Sequence, residues 1–288
     1  MKNNILIITI TIILTILINI SFLSFYHKNQ PITTEAKSVY SRVIESGKIR
    51  CGYVPYEPGL IKDPNTGKFS GIVYDSMEEI AKNLKLKVEW TEEVGWGTMI
   101  EGLERDRYDM ICSPVWANSS RGKLVDFSVP LFYSGIGAYV SSNNDKIVGL
   151  SKLNSPETKI TTIDGEMSDI IANSEFPLAT KISLPQNSDV SQLLLNVQNA
   201  KADITFVEPF IAEGYLKNNP NSIKNIIANK PIRTFGNCFM LKKNQYELKR
   251  MIDTASNEIL NSGYVDKSIA KYEIRQNTFY RVQNPYKL

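Results

Sequence analysis

Apolar positions recur at two periods along this chain. In "DSMEEIAKNLKL", Met77, Ile80, Ala81 and Leu84 fall on one helical face. In "QYELKRMIDTASNEILNSGY", Leu248, Met251, Ile252, Ala255 and Ile259 do the same, with Gly263 at the end. Between such stretches lie short apolar or alternating runs that read as strands: "GKIRCGYV", "KVEWTE", "YDMICSP", "KITTI", "KISLP", "ADITFVE" and "NCFMLKK". Further helices are predicted over "SVYSRVIES", closed by Gly47, and over "GTMIEGLERDR", "GEMSDIIANSEF", "DVSQLLLNVQNA" and "PFIAEGYLKNN". The last has Pro209 in its first turn, where proline is tolerated. Asp75, with Glu78 three residues on, reads as a capping box, and Asp164 reads as the cap of the helix after it. Strand and helix alternate throughout, which predicts an α/β fold built on parallel sheet.

Residues 1–30 follow another pattern. Behind Lys2, the chain from Ile5 to Phe25 is apolar except for scattered Thr, Asn and Ser. A basic start before an apolar run is the pattern of a secretory signal. The run also approaches the ~20 residues needed to cross a bilayer. The expectation is an exported, periplasmic protein with a cleaved signal peptide or an N-terminal membrane anchor, and a tether at 31–37. No cysteine follows the run, so a lipid anchor there is excluded.

Composition narrows the chemistry. The 288 residues suffice for two domains, and 42% apolar with 22% charged residues suits a globular chain. The net charge of +3 is too small for a nucleic-acid footprint. The sole histidine, His27, lies outside the expected folded part, so no Ser-His-Asp triad, Cys-His pair or histidine metal site is expected there. No catalytic residues, metal or cofactor are expected. Cys51, Cys112 and Cys238 cannot all pair. Export would permit one disulfide, but each lies in an apolar strand-like run and is read as a small core residue. "RGK" at Arg121 is no phosphate loop, because Leu124 stands where Ser or Thr is required.

Six segments then matter in their order: "SGKIRCGY", "GKFSGIVYDSMEEIAKNLKLKVEW", "WGTMIEGLERDRYDMI", "SSRGKLVDFSVPLFYSG", "KADITFVE" and "NSGYVDKSIAKY". From about Val39 to Tyr272 they resemble the periplasmic solute-binding proteins of polar amino-acid ABC transporters, bacterial extracellular solute-binding protein family 3. The resemblance implies a periplasmic-binding-protein type II fold, with two α/β lobes around a cleft. Residues 38–136 and 237–275 would form lobe 1, residues 137–236 lobe 2 with the hinge crossings, and residues 276–288 a C-terminal tail. "SGIGAYV" and "RTFGN" would be the hinge strands, their glycines absorbing rotation. The implied partners are a small amino-acid-like ligand and a membrane permease, for a protein expected to be monomeric and non-enzymatic.

By the same resemblance Arg121 clamps the ligand's α-carboxylate. A guanidinium fork fits a carboxylate bidentately, whereas a surface arginine at a helix start would oppose the helix dipole. Glu208 takes the position of the acid that receives the ligand's ammonium. Trp96 and Tyr56 are candidate aromatic walls, or ordinary packing. Ser113 and Gly165 complete the candidate set. Two features depart from the family pattern. Glu166 stands after Gly165 where a hydroxyl residue is usual, and Pro114 and Trp116 replace small polar residues. Trp116 either stacks on the ligand or belongs to the core. Glu166 and Glu208 together point to a ligand more positive than a neutral amino acid. Asp75 and Asp126 are read as structural. The competing reading is a cyclohexadienyl (prephenate or arogenate) dehydratase-like enzyme on the same fold, with Glu166 or Glu208 as general acid.

Overall fold

The computed structural model describes residues 13–24, 38–227, 230–275 and 278–282. Of the expected leader, residues 13–24 form a helix (α1) with exposed apolar side chains such as Leu14 and Phe22. The rest of the leader and the whole tether at 31–37 lie outside the described residues. Among the described residues no helix is long and apolar enough to cross a membrane. Residues 1–37 and 38–288 are separate units.

In the larger unit the chain runs through α2 (Val39–Ser46), β1 (Lys48–Tyr53), a hairpin of β2 (Ile61–Lys62) and β3 (Phe69–Ser70), α3 (Ile72–Asn83), β4 (Lys87–Glu93), α4 (Met99–Glu104), β5 (Met110–Trp116), α5 (Ser119–Gly122), β6 (Val125–Phe127) and β7 (Phe132–Gly135). It then builds a second lobe from β8 (Gly137–Ser141), β9 (Lys159–Ile163), α6 (Met167–Glu175), β10 (Thr180–Leu184), α7 (Ser191–Gln198), β11 (Thr205–Val207), α8 (Pro209–Asn218) and β12 (Ile223–Asn225). It returns through β13 (Thr234–Lys242), α9 (Tyr246–Asn261), α10 (Tyr264–Tyr272) and β14 (Phe279–Arg281).

The first lobe's sheet has the order β14-β7-β13-β5-β1-β4, with β6 alongside β13. β1 is parallel to β4 and β5, as the alternation predicts. The other half is antiparallel, because the returning strand β13 pairs with β5, β6 and β7 in the opposite sense. Helices α3 and α9 bury Met77, Ile80, Leu248 and Ile252 against this sheet. In the second lobe β9 and β10 are parallel, while β8 lies antiparallel between β11 and β12. A bridge from Ile160 to Ile204 joins the two groups.

The crossings lie side by side. Only Ile136 separates β7 from β8. Its N–H donates to Arg233 O at 2.9 Å, and Ile232 N–H donates back to Ile136 O at 2.9 Å. The segment set apart as a tail takes part as well: β14 pairs with β7, and Phe279 packs on Phe132 (5.3 Å) and on Phe210 of α8 (5.9 Å). Just before it, Arg275 forms an ion pair with Glu213 of α8 at 2.8 Å.

Two expected caps are corrected. α3 begins after Gly71, whose φ of 118° suits glycine, and a Cβ there would lie 2.5 Å from Gly59 O. Asp75 therefore falls in the first turn, where it accepts from Lys271 (3.0 Å) and Ser268 (3.3 Å) of α10. α6 is capped by Glu166, while Asp164 accepts from the Ser183 hydroxyl. Asp126 has the structural role expected of it, an ion pair with Lys243 at 3.1 Å. A further acid does similar work unannounced: Asp109, fully buried, accepts from Arg42, from Arg50 Nη2 at 2.8 Å and from Arg50 N–H at 2.9 Å, fixing the start of β5.

The cysteine expectation is also corrected. Cys51 and Cys112 form a disulfide, their Cα atoms 5.5 Å apart on the neighbouring strands β1 and β5, while Cys238 is free and buried. The bond links positions 61 residues apart. A closed loop of that length contributes about 4 kcal/mol in the chain-entropy view. The double variant Cys51→Ala/Cys112→Ala is expected to lose about 2–4 kcal/mol of unfolding free energy, read from urea titrations of both proteins. Equal midpoints would refute this contribution.

Candidate functional site

Strand β5 is buried along its whole length and delivers the chain to Trp116. Asn118 then caps a single turn, accepting from Arg121 N–H at 3.0 Å. The turn directs the Arg121 side chain inward, leaving it 9% exposed. Its Nη1 donates to Trp116 O (3.3 Å) and its Nη2 to Gly165 O in the second lobe (2.8 Å). Among the described residues no carboxylate lies within ion-pair distance of it. Burial pulls its pKa down to about 10, against the pull of Glu166.

Gly165 has φ 74°, a left-handed value that glycine adopts freely, and a Cβ there would lie 3.3 Å from the Gly97 backbone of the first lobe. Glu166, next in sequence, is 4% exposed. Its Oε2 accepts from Ser168 N–H (2.7 Å) and Ser168 Oγ (2.5 Å). Burial raises its pKa, opposed by those bonds and by Arg121.

Glu208 ends the run after β11 and stands at the cap position of α8, 3% exposed. The Tyr56 hydroxyl donates to its Oε2 across the cleft. Burial pushes the Glu208 carboxyl up to about 8; Glu166 adds to the shift, while hydrogen bonds from Tyr56 and Ser134 oppose it.

Aromatic rings complete the walls. Tyr56 meets Trp96 edge-on at 5.6 Å and Trp116 at 6.2 Å. Trp116 stacks on Phe235 at 5.1 Å and donates its Nε1–H to Asn237 at 2.8 Å. One face of the indole is thus anchored against Phe235, as the core reading expects, while the residue also lines the cavity. Tyr56, Trp96, Pro114, Trp116, Arg121, Glu166 and Met167 line one small cavity.

The structure brings Arg121, Glu166, Trp96, Trp116 and Tyr56 together there, with Gly165 and Glu208 joined to them by hydrogen bonds. Ser113 is corrected. Its hydroxyl is fully buried and bonds Val54 N–H (2.7 Å) and Val54 O (2.9 Å), so it fastens β5 to the neighbouring chain and does not line the cavity. Sequence reasoning missed Gln186, whose Oε1 accepts from Gly97 N–H across the cleft at 3.0 Å. No motif marks it; only the approach of the lobes does. Among the described residues no His, Cys, Asp and Glu cluster could hold a metal ion.

A two-lobed molecule whose cavity is lined by a buried guanidinium and a buried carboxyl invites comparison with known proteins. The family model for bacterial extracellular solute-binding proteins, family 3, matches residues 49–275. The chain belongs to this family. Among its curated relatives, a probable histidine-binding protein of Campylobacter jejuni is 25% identical over 78% of this chain and 85% of its own. The L-cystine-binding protein TcyA of Bacillus subtilis is 24% identical over 75% and 77% respectively. Among solved structures, an ancestral amino acid-binding protein described as a precursor of cyclohexadienyl dehydratase has a TM-score of 0.71 at 25% identity, covering 82% of this chain and all of that one. An ancestral arginine-binding protein bound to arginine has a TM-score of 0.67 at 25% identity, over 78% of this chain and 98% of its own. In this family 3 protein the facing groups come from different lobes: Arg121, Tyr56 and Trp96 from the first, Gly165, Glu166 and Glu208 from the second.

Proposed function

We propose that this protein captures a small amino-acid-like solute between its lobes and delivers it to the membrane permease of an ABC transporter. It would work outside the cytoplasm, exported by its N-terminal segment. The observation that carries the reading is Arg121. It is buried without a carboxylate partner among the described residues and lines one cavity with Glu166 and with the tyrosine that holds Glu208. Of a guanidinium's five N–H donors, two point at carbonyls. The remaining fork suits a solute carboxylate. The ammonium faces Glu208, and Tyr56, Trp96 and Trp116 enclose the stem. A solute touching both lobes favours their closed arrangement over an open one. The paired crossings at Ile136 and Arg233 are where such rotation would be absorbed.

A thermal-shift screen of the twenty amino acids tests this. A solute at a hundred times its Kd adds about 2.7 kcal/mol, or about 5–10 °C in Tm for a chain of this size. If no amino acid raises Tm, the proposal fails. A second reading rests on Glu208 alone. A carboxyl with a pKa near 8 keeps its proton at neutral pH and could act as a general acid. Product absorbance after incubation with prephenate and arogenate separates the two.

A further inference from the structure

The most informative residue in the cavity is the one that breaks the expected pattern. A helix N-terminus is a natural seat for an anion, because its free N–H groups and its dipole both face outward. α6 points such an end at the cavity, and that end is already occupied. The Glu166 carboxylate caps it, held by Ser168 N–H and Ser168 Oγ. It does so while 4% exposed and while lining the same cavity as Arg121. A solute carboxylate therefore has Arg121 to bind and no helix end to share. It would also approach the Glu166 carboxyl itself.

We propose that Glu166 is the specificity determinant of this site, selecting a solute with one carboxylate and two cationic groups over neutral and acidic solutes of the same shape. This deepens the amino-acid-binding reading and rests on it. The argument is one of charge balance in a dry place. The walls supply one buried cation, Arg121, and one buried carboxyl, Glu166, and a second buried carboxyl, Glu208, is held by the wall residue Tyr56. A neutral zwitterion sets its carboxylate on Arg121 and its ammonium on Glu208, displacing the proton held there, and leaves Glu166 without a cation of its own. Burying an uncompensated charge is strongly unfavourable. A solute with a second cationic group removes the excess: its carboxylate lies on Arg121, its α-ammonium on Glu208 and its distal cation on Glu166. The distal group also meets the aromatic rings of Trp96 and Trp116, which attract cations. An acidic solute would place a third carboxylate among these groups and is excluded.

Two near-isosteric probes, L-arginine and L-citrulline, differ chiefly in that distal charge. Calorimetric titration of the full-length protein should show arginine binding at least about thirtyfold tighter than citrulline, the discrimination expected when a buried charge-assisted hydrogen bond is lost. In Glu166→Gln the preference should collapse to within about threefold, with citrulline affinity held or improved. Glu166→Thr is a second variant, because threonine keeps a side-chain cap on α6. It should show the same collapse if the glutamine variant folds poorly. Equal binding of arginine and citrulline by the parent overturns this inference and leaves amino-acid binding intact. So does a preference that survives in both variants. Failure of every amino acid to bind the parent overturns both.

Discussion

An Arg121→Met variant should lose between about thirtyfold and several thousandfold in amino-acid affinity. Removing one member of a buried charge-assisted pair costs about 2–5 kcal/mol, much of it from the charge left behind, and each 1.4 kcal/mol is about tenfold. Here the charge left behind is the solute's own carboxylate, in a small cavity walled by rings, a proline and a methionine. Folding should suffer far less. Arg121 is already penalised by burial, as its lowered pKa shows, and an apolar side chain of similar length removes that penalty. Against this, Gly165 O and Trp116 O lose their donor. The two effects oppose each other, so unfolding should move by no more than about 1–2 kcal/mol. Arg121→Lys should fall between parent and methionine, since it keeps the charge and loses the fork. Titration calorimetry with the tightest solute of the screen, beside urea unfolding, reads both quantities. A methionine variant binding within fivefold of the parent would remove Arg121 from the site.

The second large effect depends on pH. Glu208 carries a proton in the folded protein up to about pH 8, chiefly because it is buried. A cationic solute needs the carboxylate, so proton and solute compete for one group. Affinity should therefore rise with pH from 6 to 8, by up to about tenfold per unit for one displaced proton, and level off above. Stability of the free protein should move the other way. An unfolded glutamate titrates near ~4.3, so between that pH and about 8 the folded state binds the extra proton. The stabilisation is present at low pH and fades as pH rises through that window. Glu166, also raised by burial, acts in the same direction. The neighbouring Tyr56 titrates well above it and Arg121 near 10, so neither changes charge there. Glu208→Gln should flatten this share of the stability profile, raise Tm at pH 8 and abolish the rise in affinity. A flat parent affinity from pH 6 to 8, for a solute that keeps one charge state, would refute this.

The elements and the site differ in how far the sequence revealed them. Periodicity is local, so α3, α7 and α9 and the parallel pairing of β1 and β4 were readable from Met77, Ile80, Leu193 or Leu248. Arg121 and Glu208 could be singled out because each stands in an ordered motif, Arg121 near the start of "SSRGKLVDFSVPLFYSG" and Glu208 at the end of "KADITFVE". What stayed hidden depends on which distant segments become neighbours. Cys51 and Cys112 look like two core residues until β1 and β5 are known to be adjacent. Ser113 looks like a site residue until Val54 takes both of its hydrogen bonds. Gln186 and Asp109 gain meaning only from Gly97 and from Arg42 and Arg50. The misplaced caps have a local cause. A helix starts where the backbone permits the turn, at Gly71 or at Glu166, and an acid a few residues away serves another contact.

Strand β14 gives the joint between the lobes a third point of support. Two antiparallel straps alone would let one half swing and also twist, as a flap on two ribbons does. With Phe279 wedged between Phe132 and Phe210, and Arg275 held to Glu213, the twist is resisted from the side. Under the closure proposed above, the halves would then turn about one axis, like a door on its pins, and Arg121 would meet the opposite wall at the same place on every swing.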